Sequence, residues 1–309
     1  MLQSHRRSIR QDTQLMSEHR VVPRALSTTH EHLLAVIATE ALSAGHSHFN
    51  LLDAGCGNGQ LISYLLENIP VTSGSAVDVS GFDVLDDGVQ RQGFLDAARA
   101  TLSGSHPEID WQEHVLAAAT SEPWPFPKQS FDIVVSNQVC EHVADLNEFF
   151  SENARVLRND GVAIHLFPLR DYLLEGHLLL PLVHRIASHD LRRDFIAFLS
   201  KHGVGKYRDR SQALETYAEQ HADYLQGLTH YRSWSEVAEA AKSAGLRASY
   251  RYTPEYYWRR LARVRGRDYP YILRTQGRAL SDAIWFRLLK RISSVTIVLQ
   301  KRYTYAYNS

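Results

Sequence analysis

The chain has 309 residues, of which 44% are apolar and 22% charged, a composition typical of a globular protein with an ample core. No apolar run approaches the roughly 18 residues of a membrane-spanning helix, and the N-terminus lacks the apolar core of a signal peptide. The two cysteines, Cys56 and Cys140, exclude a disulfide framework, so we expect a cytoplasmic protein.

The 34 basic and 34 acidic side chains balance, but they are segregated along the chain. From Gly245 to Ser309, 14 Lys and Arg accompany 3 Asp and Glu, a local charge of +11. This region could present a basic face to an anionic substrate, a membrane surface or nucleic acid. Alternatively, its arginines form a solvent-exposed helix face whose charge compensates that of the acidic remainder of the chain.

The first segment, residues 1–29, is polar and basic without a clear period, and we expect it to form an arm or lid. Thr28 or Thr29 can then cap a helix whose apolar stripe ends near Leu42. The following apolar run, His48–Leu52, is typical of a buried strand.

A glycine-rich turn follows this strand. Gly55, Gly57 and Gly59 come directly after Asp53 and before a predicted helix over residues 61–69. Glycines allow a sharp turn and a close approach by a ligand, and the helix N-terminus offers free N–H groups. The dinucleotide-binding fingerprint has its third glycine at the sixth position of the motif, but this chain has Gln60 there. This mismatch counts against a nicotinamide or flavin site.

Further strands are predicted along the next hundred residues. Ala76–Val84 is the second, and in a doubly wound sheet an acid at its carboxyl end can hold both ribose hydroxyls. Asp83 is best placed for that role, with Asp78 as the alternative. The remaining predicted strands of this half are Ile109–Val115, Phe131–Ser136 and Val162–Pro168, with residues 155–161 as a turn before the last.

Two stretches of the sequence resemble one family. Asp53-Ala-Gly-Cys-Gly-Asn-Gly59 resembles the first motif of class I S-adenosylmethionine-dependent methyltransferases. The proline-rich loop that leads into Phe131-Asp-Ile-Val-Val-Ser-Asn137 is similar to the fourth-motif region of the same family. The resemblance implies an α/β, doubly wound, mostly parallel sheet of seven strands, a Rossmann-like fold. It also implies S-adenosyl-L-methionine as cofactor and S-adenosyl-L-homocysteine as product.

The resemblance also implies which residues bind the cofactor. Asp53 would orient the methionine ammonium, Asp83 would hold the ribose, and Thr120 with Ser121 would cover the adenine. Thr120 departs from the family, which usually has an acid in that register. The full predicted set is Asp53, Ala54, Gly55, Cys56, Gly57, Asp83, Thr120, Ser121, Asn137 and Gln138.

The region after the first five strands departs from a minimal core. We interpret residues 30–170 as the cofactor-binding core and residues 171–230 as a helical insertion that covers the acceptor. The predicted helices of the insertion are Tyr172–Ala187, Leu191–Lys201 and Gln212–Leu228. Residues 231–309 would complete the sheet with strands Leu246–Tyr252 and Ser294–Gln300, around a second helical insertion at 255–291. The resemblance implies that the last strand lies beside the fifth.

Histidines are the candidate general bases, since their pKa lies near neutral pH. His142 follows the fourth strand at the edge of the sheet where ligands collect. His177 and His184 are seven residues apart, which places them on one helical face if Pro181 permits, and Glu175 could orient either. Glu175, His177 and His184 match no strong metal-ligand spacing, so we predict no metal.

We therefore predict a methyltransferase, with O-methylation of a small or lipid- or glycan-linked polar acceptor. One alternative is an RNA or other nucleic-acid methyltransferase that uses the basic C-terminal region, although no compact RNA-binding module is visible. A second is a non-catalytic homologue that keeps the cofactor pocket and acts as a partner protein. The sequence makes no prediction of the oligomeric state.

Overall fold

A computed structural model describes residues 22–85, 93–120, 122–207, 212–269, 273 and 279–302 of the chain. The strands are β1 (His48–Ala54), β2 (Ala76–Val84), β3 (Val115–Ala118), β4 (Phe131–Asn137), β5 (Leu157–Phe167), β6 (Leu174–Glu175), β7 (Leu180–Pro181), β8 (Leu246–Ser249) and β9 (Val295–Lys301). The helices are α1 (Thr28–Ala44), α2 (Gln60–Ser73), α3 (Phe94–Ser105), α4 (Trp111–His114), α5 (Leu146–Val156), α6 (His189–Lys201), α7 (Leu214–Gly227), α8 (Trp234–Ser243), α9 (Thr253–Val264) and α10 (Ala279–Leu289).

Seven strands form one sheet in the order β3-β2-β1-β4-β5-β9-β8. The first five are parallel to one another, and β9 runs antiparallel to both of its neighbours, β5 and β8. The strand order reverses between β1 and β4, so the ligand crevice of a doubly wound sheet falls at their carboxyl ends. This topology confirms the predicted fold, including the last strand beside the fifth.

The central strands are buried on both faces, which explains why they appear in the sequence as continuous apolar runs. Leu51 and Leu52 of β1 are inaccessible to solvent, and β4 is buried from Phe131 to Ser136. The helix α1 is itself buried along most of its length, because it packs against the sheet and α9. A rigid sheet therefore supports the turns at its carboxyl edge.

Three predictions of local structure are wrong: the third strand, the cap of the first helix and the turn over residues 155–161. Residues 111–114 form the short helix α4, because the Asp110 side chain accepts the Gln112 N–H at 3.0 Å and the Trp111 indole donates to the His106 carbonyl. The strand begins only at Val115. Ser27, rather than Thr28 or Thr29, caps α1. The predicted turn over residues 155–161 is the end of α5 and the start of β5, where the pairing with β4 is irregular.

The insertion after β5 is only partly helical. Residues 172–187 form a hairpin of β6 and β7 and a 3-10 turn, Val183–Arg185, instead of the predicted helix. The buried Glu175 carboxylate accepts hydrogen bonds from the backbone N–H groups of His177 and Leu178, and these bonds close a tight turn. The other two predicted helices correspond to α6 and α7. The proposed domain boundaries stay a prediction.

The C-terminal part differs from the prediction mainly in length. The strand β8 ends at Ser249, because the chain turns there into α9, which begins at Thr253 with a proline in its first turn. Among the residues described, no helix is both long and apolar enough to cross a membrane. Cys56 and Cys140 are buried free thiols, and the cytoplasmic location stays a prediction.

Candidate active site

A cavity of about 460 Å³ opens at the carboxyl ends of β1, β2 and β4. It brings together most of the predicted site residues: Asp53, Gly55, Cys56, Gly57, Asp83, Thr120, Asn137, Gln138 and His142. Ala54 is buried in the sheet beneath them and does not line the cavity, and Ser121 lies outside the described residues. His177 and His184 do not line the cavity either.

The glycine turn adopts a backbone that other residues rarely accept. Gly55, Gly57 and Gly59 have φ angles of 80°, 53° and 75°. A Cβ at Gly55 would lie 2.6 Å from Val139 Cγ2. The N–H groups of Gly55 and Cys56 both donate to the Phe82 carbonyl, at 2.9 and 3.0 Å, which ties the turn to β2. The bare backbone of the turn therefore forms one wall of the cavity.

Asp53 is the next-to-last residue of β1 and lines the cavity. Its side chain is buried, and Oδ1 has no hydrogen-bond partner. Burial raises the pKa of this carboxyl to about 8, and the neighbouring Asp83 adds to the shift. Asn137, at the end of β4, also has an unpartnered buried Oδ1. Because unpartnered buried acceptors are costly, the two atoms indicate a place for a donor group on a ligand.

Asp83 is the next-to-last residue of β2 and is hydrogen-bonded to the glycine turn. Its Oδ2 accepts the Gly57 N–H at 2.7 Å, and Oδ1 accepts the Val84 N–H at 2.9 Å. Burial raises the pKa of Asp83, while these two hydrogen bonds act in the opposite direction. Each carboxylate oxygen keeps a second lone pair for a ligand hydroxyl.

Aromatic rings form the side of the cavity next to Thr120. Phe82 and Trp124 have ring centroids 4.7 Å apart, and Trp124 in turn meets the edge of Phe149 at 5.1 Å. Sequence reasoning missed Trp124 and Phe149, although Trp124 stands inside the proline-rich loop that the family resemblance singled out. It also missed His30, a residue of α1 that lines the same cavity and whose position no local pattern could give.

His142 has a defined tautomer. Its Nδ1 lies 2.6 Å from the Leu228 carbonyl oxygen, which can only accept, so Nδ1 carries the proton. In the neutral ring the lone pair is then on Nε2. Burial lowers the pKa of His142, against a smaller upward effect of the hydrogen bond to Leu228. The ring is therefore neutral at pH 7 and available as a base in the cavity wall.

Behind His142, the insertion contributes His177 and Glu175. The two imidazole rings are 5.1 Å apart between centroids, and Tyr224 contacts both. His177 Nδ1 and the Tyr231 hydroxyl donate to Glu175 Oε1 at 2.7 and 2.8 Å. Burial by itself would raise the pKa of Glu175. The hydrogen bond from His177, its charge, and the backbone N–H groups of His177 and Leu178 outweigh burial and lower this pKa to about 2. Glu175 therefore holds His177, one of the two histidines that the sequence allowed it to orient.

His184 is not part of this group. Its Nε2 lies 3.3 Å from the Arg170 carbonyl, and its ring packs against Tyr231 at 4.7 Å. Because residues 172–187 are not a helix, His177 and His184 share no helical face. Sequence reasoning missed Glu141, a buried carboxyl whose Oε2 has no partner. Burial raises the pKa of Glu141 to about 8, and Glu175 adds to the shift.

Glu175, His177 and His184 do not converge on a common point that could hold a metal. Within the described part of the chain, the converging set of possible ligands is His189, Glu219 and Asp223, on α6 and α7. Both acids of that set are exposed, and His189 Nε2 already pairs with Asp223 at 2.8 Å.

The fold and the cavity agree with the methyltransferase resemblance seen in the sequence. Residues 52–165 match the family model described as "Methyltransferase domain", which confirms the resemblance seen in the sequence. The matched segment runs from β1 into β5 and contains the glycine turn, Asp83 and His142.

Three relatives illustrate the breadth of the similarity. A Bacillus subtilis protein named for guanine-N(1) methylation of 23S rRNA is 30% identical over 132 residues, 43% of this chain and 38% of the relative. A ubiquinone biosynthesis O-methyltransferase of Sinorhizobium medicae is 32% identical over 112 residues, 36% of this chain and 38% of the relative. A crystal structure of an S-adenosylmethionine dependent methyltransferase from Mesorhizobium loti has a TM-score of 0.47, at 14% identity, over 88% of this chain and 98% of that chain. The chain spans less than two fifths of the length of these two curated relatives.

Proposed function

We propose that this protein is an S-adenosyl-L-methionine-dependent methyltransferase that methylates a hydroxyl group of a small or lipid- or glycan-linked polar acceptor. The observation that carries the proposal is the shared cavity: an unpartnered buried carboxylate, a glycine turn and a neutral His142 all line it. When bound, the cofactor supplies a methyl group on a positively charged sulfur, with a neutral thioether as leaving group.

The residues of the cavity fit that cofactor. Asp53 Oδ1 and Asn137 Oδ1 would accept hydrogen bonds from its ammonium group, which satisfies both unpartnered atoms. Asp83 would hold the ribose hydroxyls, and Trp124 offers an aromatic face beside Thr120 for the adenine. The glycine turn would present bare backbone to the methionine portion, with Val139 packed against the position that a Cβ of Gly55 would take.

His142 would act as the general base. Its Nε2 can take the proton of an acceptor hydroxyl as the oxygen becomes methylated, while Nδ1 stays on the Leu228 carbonyl. Glu175 and His177 do not line the cavity, and we assign them to positioning the His142 ring through the contact between the two imidazoles. Holding the acceptor in line with the reacting bond would supply the rest of the acceleration.

The charges of the cavity favour a neutral or cationic acceptor over nucleic acid. The described residues that line it include no Lys or Arg, whereas the acids are Asp53, Asp83, Glu122, Asp145, Glu148 and Glu152. Glu152 is paired with Arg155, but the others have no basic partner among the described residues. Asp53 and Asp83 are assigned to the cofactor, and the remaining acids Glu122, Asp145 and Glu148 would repel a phosphodiester backbone. This supports the small-molecule reading over an rRNA substrate like the one named for the Bacillus relative.

A paired experiment tests the proposal. Isothermal titration calorimetry with S-adenosylmethionine and S-adenosylhomocysteine measures binding, and transfer of a labelled methyl group to the small-molecule, lipid, glycan and RNA fractions of a cell extract measures activity. We expect binding of both, and label in a small-molecule, lipid or glycan fraction. Binding without transfer to any fraction would favour the non-catalytic alternative, and label in RNA alone would favour the nucleic-acid one.

A further inference from the structure

An apolar stripe runs along the outer face of α10. Ile284 and Leu288 lie one turn apart on this face, and Ile292 lies in the turn that follows the end of the helix at Leu289; the three residues are 55%, 53% and 47% exposed. Trp285 lies beside them and packs against Trp258 of α9 at 5.5 Å. Single exposed apolar residues are normal, but several along one helix and the turn after it indicate an interaction surface.

The stripe continues onto the hairpin of the insertion. The Leu173 N–H donates to the Arg291 carbonyl at 2.8 Å, and the Leu182 N–H donates to the Leu173 carbonyl at the same distance. Both leucines are exposed. Leu182 has a φ of 60°, a backbone conformation that costs a leucine energy which a glycine would not lose. A strained, exposed leucine is expected where its apolar side chain contacts something outside the molecule.

Lys290 pairs with Asp171 at 3.0 Å beside the stripe, and the exposed charges left without an ion pair among the described residues of α10 and its following turn are positive. Arg287 and Arg291 are exposed, and no carboxylate pairs with either among the described residues. The acid of this helix, Asp282, is buried, so the outer face carries cations and no anion. A second copy of the chain meeting this face about a twofold axis would bring cations towards cations. An anionic lipid surface complements both the charge and the apolar row.

We propose that the stripe, defined as Ile284, Trp285, Leu288 and Ile292 with Leu173 and Leu182, docks the protein on an anionic lipid bilayer. Arg287 and Arg291 would contact the headgroups while the apolar side chains enter the interface. The proposal stands apart from methyl transfer. It would nevertheless place the hairpin that carries Glu175 at the membrane, within reach of a lipid-linked acceptor.

Co-sedimentation of the full chain with vesicles tests this proposal without cofactor or acceptor. The vesicles are phosphatidylcholine with and without phosphatidylglycerol, at low and high salt. We expect binding only to the anionic vesicles, weakened by salt, and at least about 10-fold weaker for the double variant Ile284→Glu/Leu288→Glu. The matched control Leu191→Glu, at an equally exposed leucine of α6, should bind like the wild type.

A second double variant, Arg287→Glu/Arg291→Glu, keeps the apolar row intact and should lose at least about 10-fold in affinity, because each basic residue near an anionic surface contributes to binding. The proposal is overturned if the wild type does not sediment with anionic vesicles, or if both double variants bind as well as it does. It is also overturned if light scattering shows a dimer in solution that Ile284→Glu/Leu288→Glu converts to a monomer, since a second copy would then cover the stripe.

Discussion

The rings of His142 and His177 lie 5.1 Å apart at an angle of 67°, but only His142 lines the cavity at the glycine turn. The two histidines come from different parts of the chain, one after β4 and the other from the hairpin of the insertion. Their contact links the cofactor-binding core to the segment that the sequence interpretation assigned to the acceptor.

Replacing His142 should remove the base while leaving cofactor binding intact. We expect His142→Asn to lower kcat by about 10²- to 10⁴-fold, the usual contribution of a general base. Calorimetry with S-adenosylhomocysteine should give a Kd within about twofold of the wild type, since His142 is not assigned a cofactor contact. A variant that keeps its full kcat would contradict the assignment of the base.

Replacing a histidine of the insertion should lower kcat less the more indirect its contact with His142 is. We expect His177→Asn to lower kcat less than His142→Asn does, because it only positions the ring of His142. His184→Asn should leave kcat within about twofold, since its ring contacts Tyr231 and not the cavity. Steady-state assays of the three variants give the ranking. A loss at His184 equal to that at His142 would show that the acceptor lies elsewhere.

The pH profile of kcat/KM for the acceptor, measured at saturating S-adenosylmethionine, should have an acidic limb set by His142, since this profile reports groups of the enzyme before the acceptor binds. Burial lowers the pKa of this histidine, so the base is already deprotonated at pH 7. Activity should rise with pH through a midpoint below 6.5 and then stay level across neutral pH. In a profile of this kind, a midpoint at or above pH 7 would mean that the group titrating is not the His142 described here.

The bare backbone at Gly55 should be needed for binding and not merely for folding. Gly55→Ala places a methyl group 2.6 Å from Val139 at a φ of 80°, and we expect at least about a 10-fold loss of cofactor affinity. Gly74→Ala is the matched control, because Gly74 has a φ of 74° with nothing near its Cβ. Both variants should lose about 1–2 kcal/mol of unfolding free energy from the left-handed backbone. Equal affinity in the two would argue against a ligand at the turn.

The charged form of Asp53 should destabilise the folded protein, while the residue itself is needed for cofactor binding. Its folded-state pKa of about 8 lies above the ordinary value, so the folded protein holds this proton more tightly than the unfolded chain. The bound proton therefore stabilises the folded protein at low pH. This stabilisation decreases as pH rises above the ordinary pKa of an aspartate and is gone once pH has risen through about 8. We expect Asp53→Asn to be more stable than the wild type at pH 9, by about 1–3 kcal/mol in urea unfolding, yet to lose cofactor binding. A less stable Asp53→Asn protein at pH 9 would refute the buried, unpartnered state of this carboxyl.

The core could be predicted from the sequence because its strands and turn obey local rules. β1, β2 and β4 are apolar runs, and the glycine spacing with Asp53 and Asp83 marks their carboxyl ends. The first part of the insertion, residues 172–187, could not, because its conformation depends on hydrogen bonds to one buried carboxylate, including one from the distant Tyr231. Leu174–Pro181 has the composition of a helix, but Glu175 is buried among His177, Leu178 and Tyr231, and these contacts favour a hairpin. The hydrogen-bond partner of His142 could not be predicted either, because Leu228 lies 86 residues away in the sequence.

The cavity at the glycine turn is expected to bind S-adenosylmethionine through Asp53. Calorimetric titration of the full chain with S-adenosylhomocysteine, at pH 7 in two buffers of different ionisation enthalpy, measures both the binding and its proton balance. Burial raises the pKa of Asp53 to about 8 in the free protein, and this carboxyl must become charged to pair with the ligand ammonium. We therefore predict binding with a net release of protons. The absence of binding, or binding with no proton release, would contradict the assignment of Asp53.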